Sequence, residues 1–404
     1  MSAPKVETNL NKSVDYNSVF GYASGEDTKI GDVLTVPKSS RDLLDYPEWA
    51  PTWDPKDNYK FNHLKPFKHI DRGLSGDSNF SSLLENKNIK FKKITPKLGL
   101  EVDGIQLSSL TNKQKDDLAL LIEKSGVVAF RNQDFKDKGF EFLKNWAKYF
   151  GPLDIHANSG APINNPEFHL VFKRDDFNDP KNIFNNKLNQ IYWHSDVSYE
   201  TQPPGITLLA MLQTGLGGDT QFLDTIEIYD RLSPLLKEKL NGLKVLHSSK
   251  LQAEMTKEGG LQRKETIESI HPLIRYHPVL KKNLLYLNKV FGRRILGLKQ
   301  EESENLFNFL INHIENCLDA HIRVQWDANT VVLWDNRRVL HTATADFDSI
   351  DIRHAFRLTT IAERPVENKT EYENWSPELE EENIKLTNYY LNLPPAKYYE
   401  VTKK

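Results

Sequence analysis

The pattern of apolar and polar positions predicts helices mainly in the first half of the chain. A capping-box pattern at Thr111 precedes a stripe of leucine and isoleucine that ends at Gly126, which is typical of an amphipathic helix. Residues 140–150 carry a second helical stripe. Further along, Ser233-Pro234 indicates a short helix with proline in its first turn, and residues 301–318 form one more predicted helix.

Strand signals dominate the second half. Short runs of β-branched and aromatic residues between turn residues predict strands, and Gly-rich residues 215–218 predict a tight turn before the strand that carries Thr220, with no phosphate-loop or dinucleotide pattern. This order favours a mixed, β-rich fold, a double-stranded β-helix of jelly-roll type with flanking α-helices, whose ligands meet at an open mouth. The predicted strands are 99–105, 127–130, 206–212, 221–223, 243–247, 284–287, 322–326, 330–334 and 353–361.

Composition narrows the function classes. The 404 residues are 38% apolar, enough for a sizeable core, and a net charge of −3 provides no basic field for nucleic acid or a membrane surface. Cys317 is the one cysteine, so we expect a helix-packing thiol in a reducing compartment. No apolar run approaches a membrane span and the start resembles no signal peptide, so we expect a cytoplasmic protein. Oligomeric state is left open, and a homo-oligomer is compatible with the sequence.

The candidate chemistry begins in the apolar run 192–198. His194 and Asp196 stand two residues apart, so on a strand both side chains leave by one face. His341 ends a second apolar region, and two histidines with one carboxylate are the facial triad of non-haem Fe(II) oxygenases. His69 and Asp71 have the same spacing, but their polar, turn-rich surroundings predict a surface loop.

Two arginines strengthen the case. Arg353 and Arg357 would share one face of a predicted strand with Ala355, opposite His354 and Phe356. Four residues of strand separate them by about 13 Å. They could therefore hold two different anions with a metal between them.

Together these residues resemble the taurine/alkylsulfonate dioxygenase family of Fe(II)/2-oxoglutarate enzymes. The resemblance covers roughly residues 90–365 and is stronger to fungal sulfonate dioxygenases than to the short bacterial ones. It implies metal ligation by His194, Asp196 and His341, with Fe(II), 2-oxoglutarate and O2 as cofactor and co-substrates. The motifs that carry it are His194-x-Asp196, Gly217-Gly218-Asp219-Thr220, Trp334-Asp335-Asn336-Arg337, His341, and Arg353 and Arg357 twelve and sixteen residues later.

The resemblance also implies roles around the metal. Arg353 would clamp the distal carboxylate of 2-oxoglutarate with help from the Thr220 hydroxyl, and Arg357 would bind the substrate sulfonate. His156 and Phe291 match residues that line the substrate pocket. The implied reaction hydroxylates the carbon bearing sulfur and yields sulfite, an aldehyde, succinate and CO2.

Two departures from the family pattern concern the substrate. The family's pocket asparagine is Gln190 here, which keeps the amide but sets it one methylene further out. Ser159 stands where taurine-specific members carry a tyrosine, so we expect a wider pocket and looser selection for an amine. Taurine, isethionate and longer sulfonates are the candidate substrates, and alkyl sulfates or aryloxy carboxylates are the runners-up.

Domain boundaries follow from the same pattern. Residues 1–88 form a polar N-terminal extension, in which Trp49 and Trp53 stand among prolines and predict an ordered, largely irregular segment packed on the core. We expect the dioxygenase domain at 89–365 and a C-terminal tail at 366–404. Two other classes stay open: a zinc hydrolase, which would leave Arg353 and Thr220 without a role, and a non-catalytic anion-binding protein.

Overall fold

The computed structural model describes residues 27–85, 88–173, 192–257, 261–344, 346 and 352–392, and these form a β-rich mixed structure. The strands, in chain order, are β1 (Lys29–Ile30), β2 (Val33–Thr35), β3 (Thr52–Trp53), β4 (Lys90–Lys93), β5 (Leu100–Asp103), β6 (Val127–Phe130), β7 (His169–Lys173), β8 (Pro204–Gln213), β9 (Thr220–Asp224), β10 (Lys244–Ser248), β11 (Glu268–Pro272), β12 (Ile274–His277), β13 (Lys282–Leu285), β14 (Gly292–Ile295), β15 (His321–Val324), β16 (Val331–Asp335), β17 (Val339–Ala343) and β18 (Arg353–Ile361).

The helices lie mostly outside the strand-rich region that positions the site. Thr111 accepts the backbone N–H of Gln114 in the predicted capping box, and Gly126 ends that helix with φ of 74°, so this prediction is confirmed. Within the described ranges, no helix is long and apolar enough to cross a membrane. The helices are α1 (Lys38–Arg41), α2 (Asn112–Ser125), α3 (Phe140–Ala147), α4 (Thr225–Asp230), α5 (Pro234–Leu240), α6 (Lys250–Lys257), α7 (Gln300–Asn316), α8 (Lys369–Asn374) and α9 (Pro377–Leu391).

Two sheets carry the candidate site. The larger has seven strands in the order β4-β5-β6-β16-β8-β18-β7, and a smaller one has the order β15-β9-β17. Strand β16 pairs antiparallel with β6 and β8, and β17 pairs antiparallel with β9. Thus β16 and β17, which flank one short turn, belong to different sheets.

Alternate residues along the strands of the large sheet face two different apolar layers. Val331 and Leu333 face a core built with helices α2 and α3, whereas Val332 and Trp334 face the smaller sheet. Phe222 of β9 belongs to the second layer. The two sheets therefore pack face to face through one apolar layer, and side chains on their inner faces converge.

Most strand predictions are confirmed within one or two residues. The predicted strands at 127–130 and 353–361 match β6 and β18 at both ends. As expected, Ala355 lies on one face of β18 and Phe356 on the other, since they belong to different core layers. Strands β7, β11, β12 and β14 were not predicted, because their polar residues, such as His271, hide the alternation.

The strand geometry assumed for His194 and Asp196 is wrong. Only His194 makes an isolated bridge there, and the chain then turns at residues 196–199, where Val197 has φ of 38°. The left-handed conformation of a β-branched residue is strained and needs strong surrounding contacts. The turn, and not strand alternation, aims the Asp196 side chain.

The described part of the N-terminal extension lies against the large sheet. Trp49 is 1% exposed and stacks on Phe356 with ring centroids 4.3 Å apart. Trp53 is 2% exposed and its indole N–H donates to the Asn158 carbonyl. The domain boundaries proposed from the sequence stay predictions.

A buried charge cluster ties the extension to the core and corrects one prediction. Asp71, expected in a surface loop, is 4% exposed, because Arg337 pairs with it at 2.5 Å. Arg337 also pairs with Glu123, Asp335 and Glu363 at 2.8, 2.8 and 3.1 Å. Since Arg337 already neutralises Asp71 and Glu363, the nearby imidazole of His69 does not complete a convincing metal site.

We predict that Asp71→Ala lowers the free energy of unfolding by about 3 kcal/mol, the lower end for breaking a buried ion pair, since other carboxyl groups remain on Arg337. Urea unfolding measures the change. The matched control is Asp42→Ala, which removes an exposed pair with Lys38 and should change stability little. Equal losses in the two variants would contradict a structural role for the buried pair.

Candidate active site

Backbone pairing brings the two predicted histidine ligands together. His194 and His341 exchange two backbone hydrogen bonds, N–H to carbonyl distances of 3.1 and 2.8 Å, in an antiparallel bridge. Their ring centroids are 4.3 Å apart. The bridge adds one pairing beside β17, at the edge of the smaller sheet. His194 and His341, which are far apart in sequence, therefore lie next to each other.

Asp196 completes the group. Its Oδ1 lies 3.6 Å from Nε2 of His194 and 3.6 Å from Nε2 of His341. The side chain of Asn336 fixes the backbone of Asp196: Oδ1 accepts its N–H at 2.8 Å and Nδ2 donates to its carbonyl at 3.1 Å. Asn336 had no assigned role, although it stands in the Trp-Asp-Asn-Arg motif.

The protonation of these groups suits a metal. Nδ1 of His194 donates to the Tyr192 carbonyl at 3.0 Å, which leaves the lone pair of Nε2 for a ligand. Burial holds the pKa of His341 well below its usual value, so this ring is neutral, and among the described residues neither of its nitrogens has a hydrogen-bond partner. The same described residues offer no hydrogen-bond partner to Oδ2 of Asp196. Two imidazole nitrogens and a carboxylate on one side fit Fe(II).

Arg357 lies directly beside this group. Its Nη1 donates to Oδ1 of Asp196 at 2.6 Å, and its guanidinium carbon lies 5.5 Å from the centre of the Trp334 ring. Burial alone would raise the pKa of Asp196, but Arg357 and His341 outweigh burial, and the pKa lies well below its usual value. Asp196 is therefore ionised, as a ligand must be.

Arg353 lies four residues before Arg357 on β18. It is 5% exposed, and within the described ranges no carboxylate forms an ion pair with it. Burial, and then the charge of Arg357, lowers the pKa of Arg353 to about 10, so it stays charged at neutral pH. Thr220 Oγ1 accepts the indole N–H of Trp326 at 3.0 Å, so the Thr220 hydroxyl hydrogen is available to donate.

His156 lines a cavity beside Asp196 and Arg357. Its Nδ1 accepts the backbone N–H groups of Asn158 and Ser159 at 3.4 and 3.2 Å. Burial lowers the pKa of His156 to about 3, so the ring is neutral with its proton on Nε2. It can therefore donate a hydrogen bond to an anion.

The N-terminal extension holds the loop that carries His156. Thr52 and Ala161 exchange backbone hydrogen bonds of 2.9 and 3.1 Å. From the other side, the Arg263 backbone N–H donates to the Ala157 carbonyl at 2.6 Å, and its guanidinium donates to the Ser159 carbonyl at 2.5 Å. Ser159 thus supports the loop through its backbone.

The other two predicted pocket residues differ in what can be described. Phe291 is 4% exposed, and its ring lies edge-on to His194 with centroids 6.2 Å apart. Gln190 lies outside the described residues. The sequence did not predict several other residues that line the cavity. Some lie on or just before the unpredicted strand β7, and the others reach the cavity only through tertiary contacts: Asp154, Glu167, His169, Val197 and Thr359.

The chain is similar over most of its length to known dioxygenases. The alpha-ketoglutarate-dependent sulfonate dioxygenase of Saccharomyces cerevisiae is 46% identical over 377 residues, covering 90% of this chain and 91% of that protein. The alpha-ketoglutarate-dependent dioxygenase cnsP of Penicillium expansum is 35% identical over 345 residues, covering 84% and 92%. The crystal structure of a taurine dioxygenase from Burkholderia xenovorans matches with TM-score 0.55 and 26% identity, covering 69% of this chain and 93% of that chain.

The family comparison matches the same region as the motifs. Residues 90–359 match the family described as taurine catabolism dioxygenase TauD, TfdA. This range contains all nine site residues proposed from the sequence and both sheets described above except the last two residues of β18. The chain therefore belongs to the taurine catabolism dioxygenase TauD, TfdA family of Fe(II)- and 2-oxoglutarate-dependent dioxygenases.

Proposed function

We propose that this enzyme hydroxylates an alkylsulfonate at the carbon bearing sulfur. The observation that carries the proposal is an anion-binding wall in the cavity: the Arg357 guanidinium and the His156 imidazole both line it beside Asp196. A planar guanidinium can pair with two oxygens of a sulfonate. The sulfonate dioxygenase of Saccharomyces cerevisiae, 46% identical, supports the same substrate class.

Arg353 and Thr220 form the proposed site for the far carboxylate of 2-oxoglutarate. A buried guanidinium without a carboxylate partner is costly in a protein interior and favours an anion. The Thr220 hydroxyl, with Trp326 already bound to its oxygen, points its hydrogen elsewhere and can donate. A zinc hydrolase acting on a neutral substrate would use neither Arg353 nor Thr220. We therefore favour the dioxygenase over a zinc hydrolase.

In the mechanism, His194, Asp196 and His341 hold Fe(II), and Arg353 and Thr220 orient 2-oxoglutarate. Bound Fe(II) supplies the oxidation, in which O2 and 2-oxoglutarate give succinate, CO2 and a hydroxylated substrate. The protein contributes placement and exclusion of water. Arg357 and the Nε2 proton of His156 fix the sulfonate, so the adjacent carbon faces the metal side of the cavity.

The hydroxylated product then breaks down without further oxidation. The hydroxyl loses its proton, the C–O bond becomes a carbonyl, and the C–S bond breaks with its electrons on sulfur. An aldehyde and hydrogen sulfite result. The sulfite would supply sulfur for assimilation.

The finer structural and cellular predictions belong to this proposal. Face-to-face packing of the seven-stranded and three-stranded sheets supports a double-stranded β-helix of jelly-roll type. A cytoplasmic location, the lack of nucleic-acid and membrane partners and the oligomeric state stay predictions.

Sulfite and succinate release from a panel of sulfonates, sulfate esters and aryloxy carboxylates tests the substrate class. Succinate release without sulfite from a carboxylate would overturn the sulfonate assignment.

The first prediction about the site concerns the proposed metal ligands. His194→Ala, Asp196→Ala and His341→Ala should each abolish substrate-dependent succinate release and bound iron while the fold is kept, because each removes one of three ligands. Asp196→Glu should be less damaging. Iron content and circular dichroism are measured with turnover, and His69→Ala is the matched control that should keep its iron. Full activity in any alanine variant removes that residue from the proposed triad.

The second prediction separates the two arginines. Arg353→Ala should raise KM for 2-oxoglutarate, whereas Arg357→Ala should weaken the sulfonate. Truncating a buried charged partner costs about 2–5 kcal/mol, so effects of roughly 30-fold or more are expected. Steady-state kinetics with each substrate varied in turn measures the split, and iron content is checked because Arg357 touches Asp196. Equal effects of both changes on both substrates would contradict the assignment.

The third prediction concerns Asn336. Asn336→Ala should weaken Fe(II) binding by about 10- to 100-fold, the usual cost of losing a group that orients a ligand, because the Asp196 backbone loses both amide contacts. Fe(II) titration measures the affinity, and excess Fe(II) should restore turnover. Asn316→Ala, at an exposed helix end, is the control. An unchanged iron affinity would show that the Asn336 clamp does not position Asp196.

A further inference from the structure

One histidine that lines the cavity has no role in the proposed function. His169 lies on strand β7, directly across from Arg357 of β18 in their antiparallel pairing. Side chains at directly paired positions leave a sheet by the same face, with Cβ atoms about 5 Å apart. Both side chains line the cavity beside Asp196. The strand register therefore places an imidazole next to the Arg357 side chain.

His169 also contacts the other imidazole of the cavity. The ring centroids of His156 and His169 are 4.4 Å apart, with 52° between the ring planes. Burial, then the neighbouring His156 and Arg357, lower the pKa of His169 well below its usual value, so the ring is neutral and carries one N–H. Among the described residues, no side chain or backbone group is hydrogen-bonded to this ring. The N–H can therefore donate to a ligand in the cavity.

Arg357 leaves one edge of its guanidinium for an anion. Its Nη1 is bound to Asp196 at 2.6 Å, whereas Nε, on the other edge, is shielded from solvent and has no hydrogen-bond partner within the described ranges. One guanidinium edge can pair with two oxygens in its own plane. A carboxylate has two such oxygens, but a sulfonate has a third that lies outside this plane. The third oxygen needs another donor.

We propose that His169 is a further anion-binding residue, which donates its ring N–H to the third oxygen of the substrate head group. This inference rests on the proposed function, because it takes Arg357 as the sulfonate site. His169 is not among the site residues that the sequence motifs indicate. The Arg357 guanidinium supplies the charge and two hydrogen bonds, and His156 and His169 hold the remaining oxygen. His169 is a specificity residue and takes no part in the oxidation.

A purely structural role for His169 leads to a different expectation. A ring that only supports His156, or only the pairing of β7 with β18, would affect every ligand of the cavity to the same extent. A donor to the third oxygen affects only those head groups that have one. Ligands with the same carbon chain and different head groups distinguish the two roles.

The experiment is titration calorimetry without O2, on enzyme loaded with Fe(II) and 2-oxoglutarate. The ligands are butanesulfonate and pentanoate, which share a butyl chain and carry three and two head-group oxygens. His169→Met removes the ring N–H, and His169→Gln, a side chain of the same length, supplies an amide N–H in its place. His169→Phe is a second variant without a donor, and it keeps a ring against His156.

The control is Val171→Ala, two residues along the same face of β7. Val171 pairs with Ala355 of β18 and is not among the residues that line the cavity. The control therefore reports any general disturbance of the strand pair. Thermal unfolding of each variant is measured beside the titrations.

Wild-type enzyme should bind butanesulfonate more tightly than pentanoate. His169→Met and His169→Phe should weaken butanesulfonate about tenfold or more, because a hydrogen bond to a charged group is lost, and should change pentanoate little. His169→Gln should recover part of the lost affinity, and Val171→Ala should leave both affinities unchanged. Equal weakening of the two ligands in the variants without a donor, or a Gln variant no better than these, overturns the inference.

Failure of the proposed function gives a different result. Butyl sulfate, which also has three terminal oxygens, is titrated in parallel. Binding of butyl sulfate that depends on His169, with no binding of butanesulfonate, keeps the role of His169 and overturns the sulfonate assignment. Sulfite release from butanesulfonate whose binding does not depend on His169 does the reverse. A wild-type enzyme that binds pentanoate more tightly than either of the other ligands overturns both.

Discussion

The structure depends on one buried arginine. Arg337 is 3% exposed and bonds to carboxyl groups from the N-terminal extension, helix α2, the end of β16 and the segment after β18. Burial and the neighbouring Asp71 raise the pKa of Glu123 well above its usual value, which favours its protonated form and so limits the negative charge around Arg337. An arginine with so many partners cannot move without leaving buried carboxylates unpaired, which is costly.

The position of Arg337 also affects the candidate metal site, because neighbouring residues of the chain position the proposed ligands. Arg337 follows Asn336, whose amide holds Asp196, and precedes β17, which carries His341. One turn therefore sets the backbone that positions Asp196 and His341, two of the proposed metal ligands. The order of the motif explains how residues far apart in sequence come together at the candidate metal site, and it gives the extension, through Asp71, an indirect part in the geometry of that site.

The sequence predicted those parts of the fold where local signals agree with the tertiary contacts. The α2 capping box and the strands β16 and β18 each appear in the structure, because the apolar runs that mark these strands in the sequence are buried between two core layers. The pairing of His194, Asp196 and His341 was also expected, but for a partly wrong reason. A turn at strained Val197, with the Asn336 clamp, brings Asp196 to the histidines where strand alternation was assumed.

The features that the sequence could not predict all depend on contacts between distant residues. Asp71 resembles an exposed turn residue until Arg337 is placed beside it. His169 resembles any polar residue between predicted strands until β7 pairs with β18 and brings it to the cavity of Arg357. Arg353 and Arg357 share a strand face, yet Arg353 has no carboxylate partner among the described residues, whereas Arg357 bonds to Asp196. Identical side chains thus differ in their surroundings, which spacing along the chain does not reveal, and this is why motif spacing predicts the chemistry here more readily than the substrate.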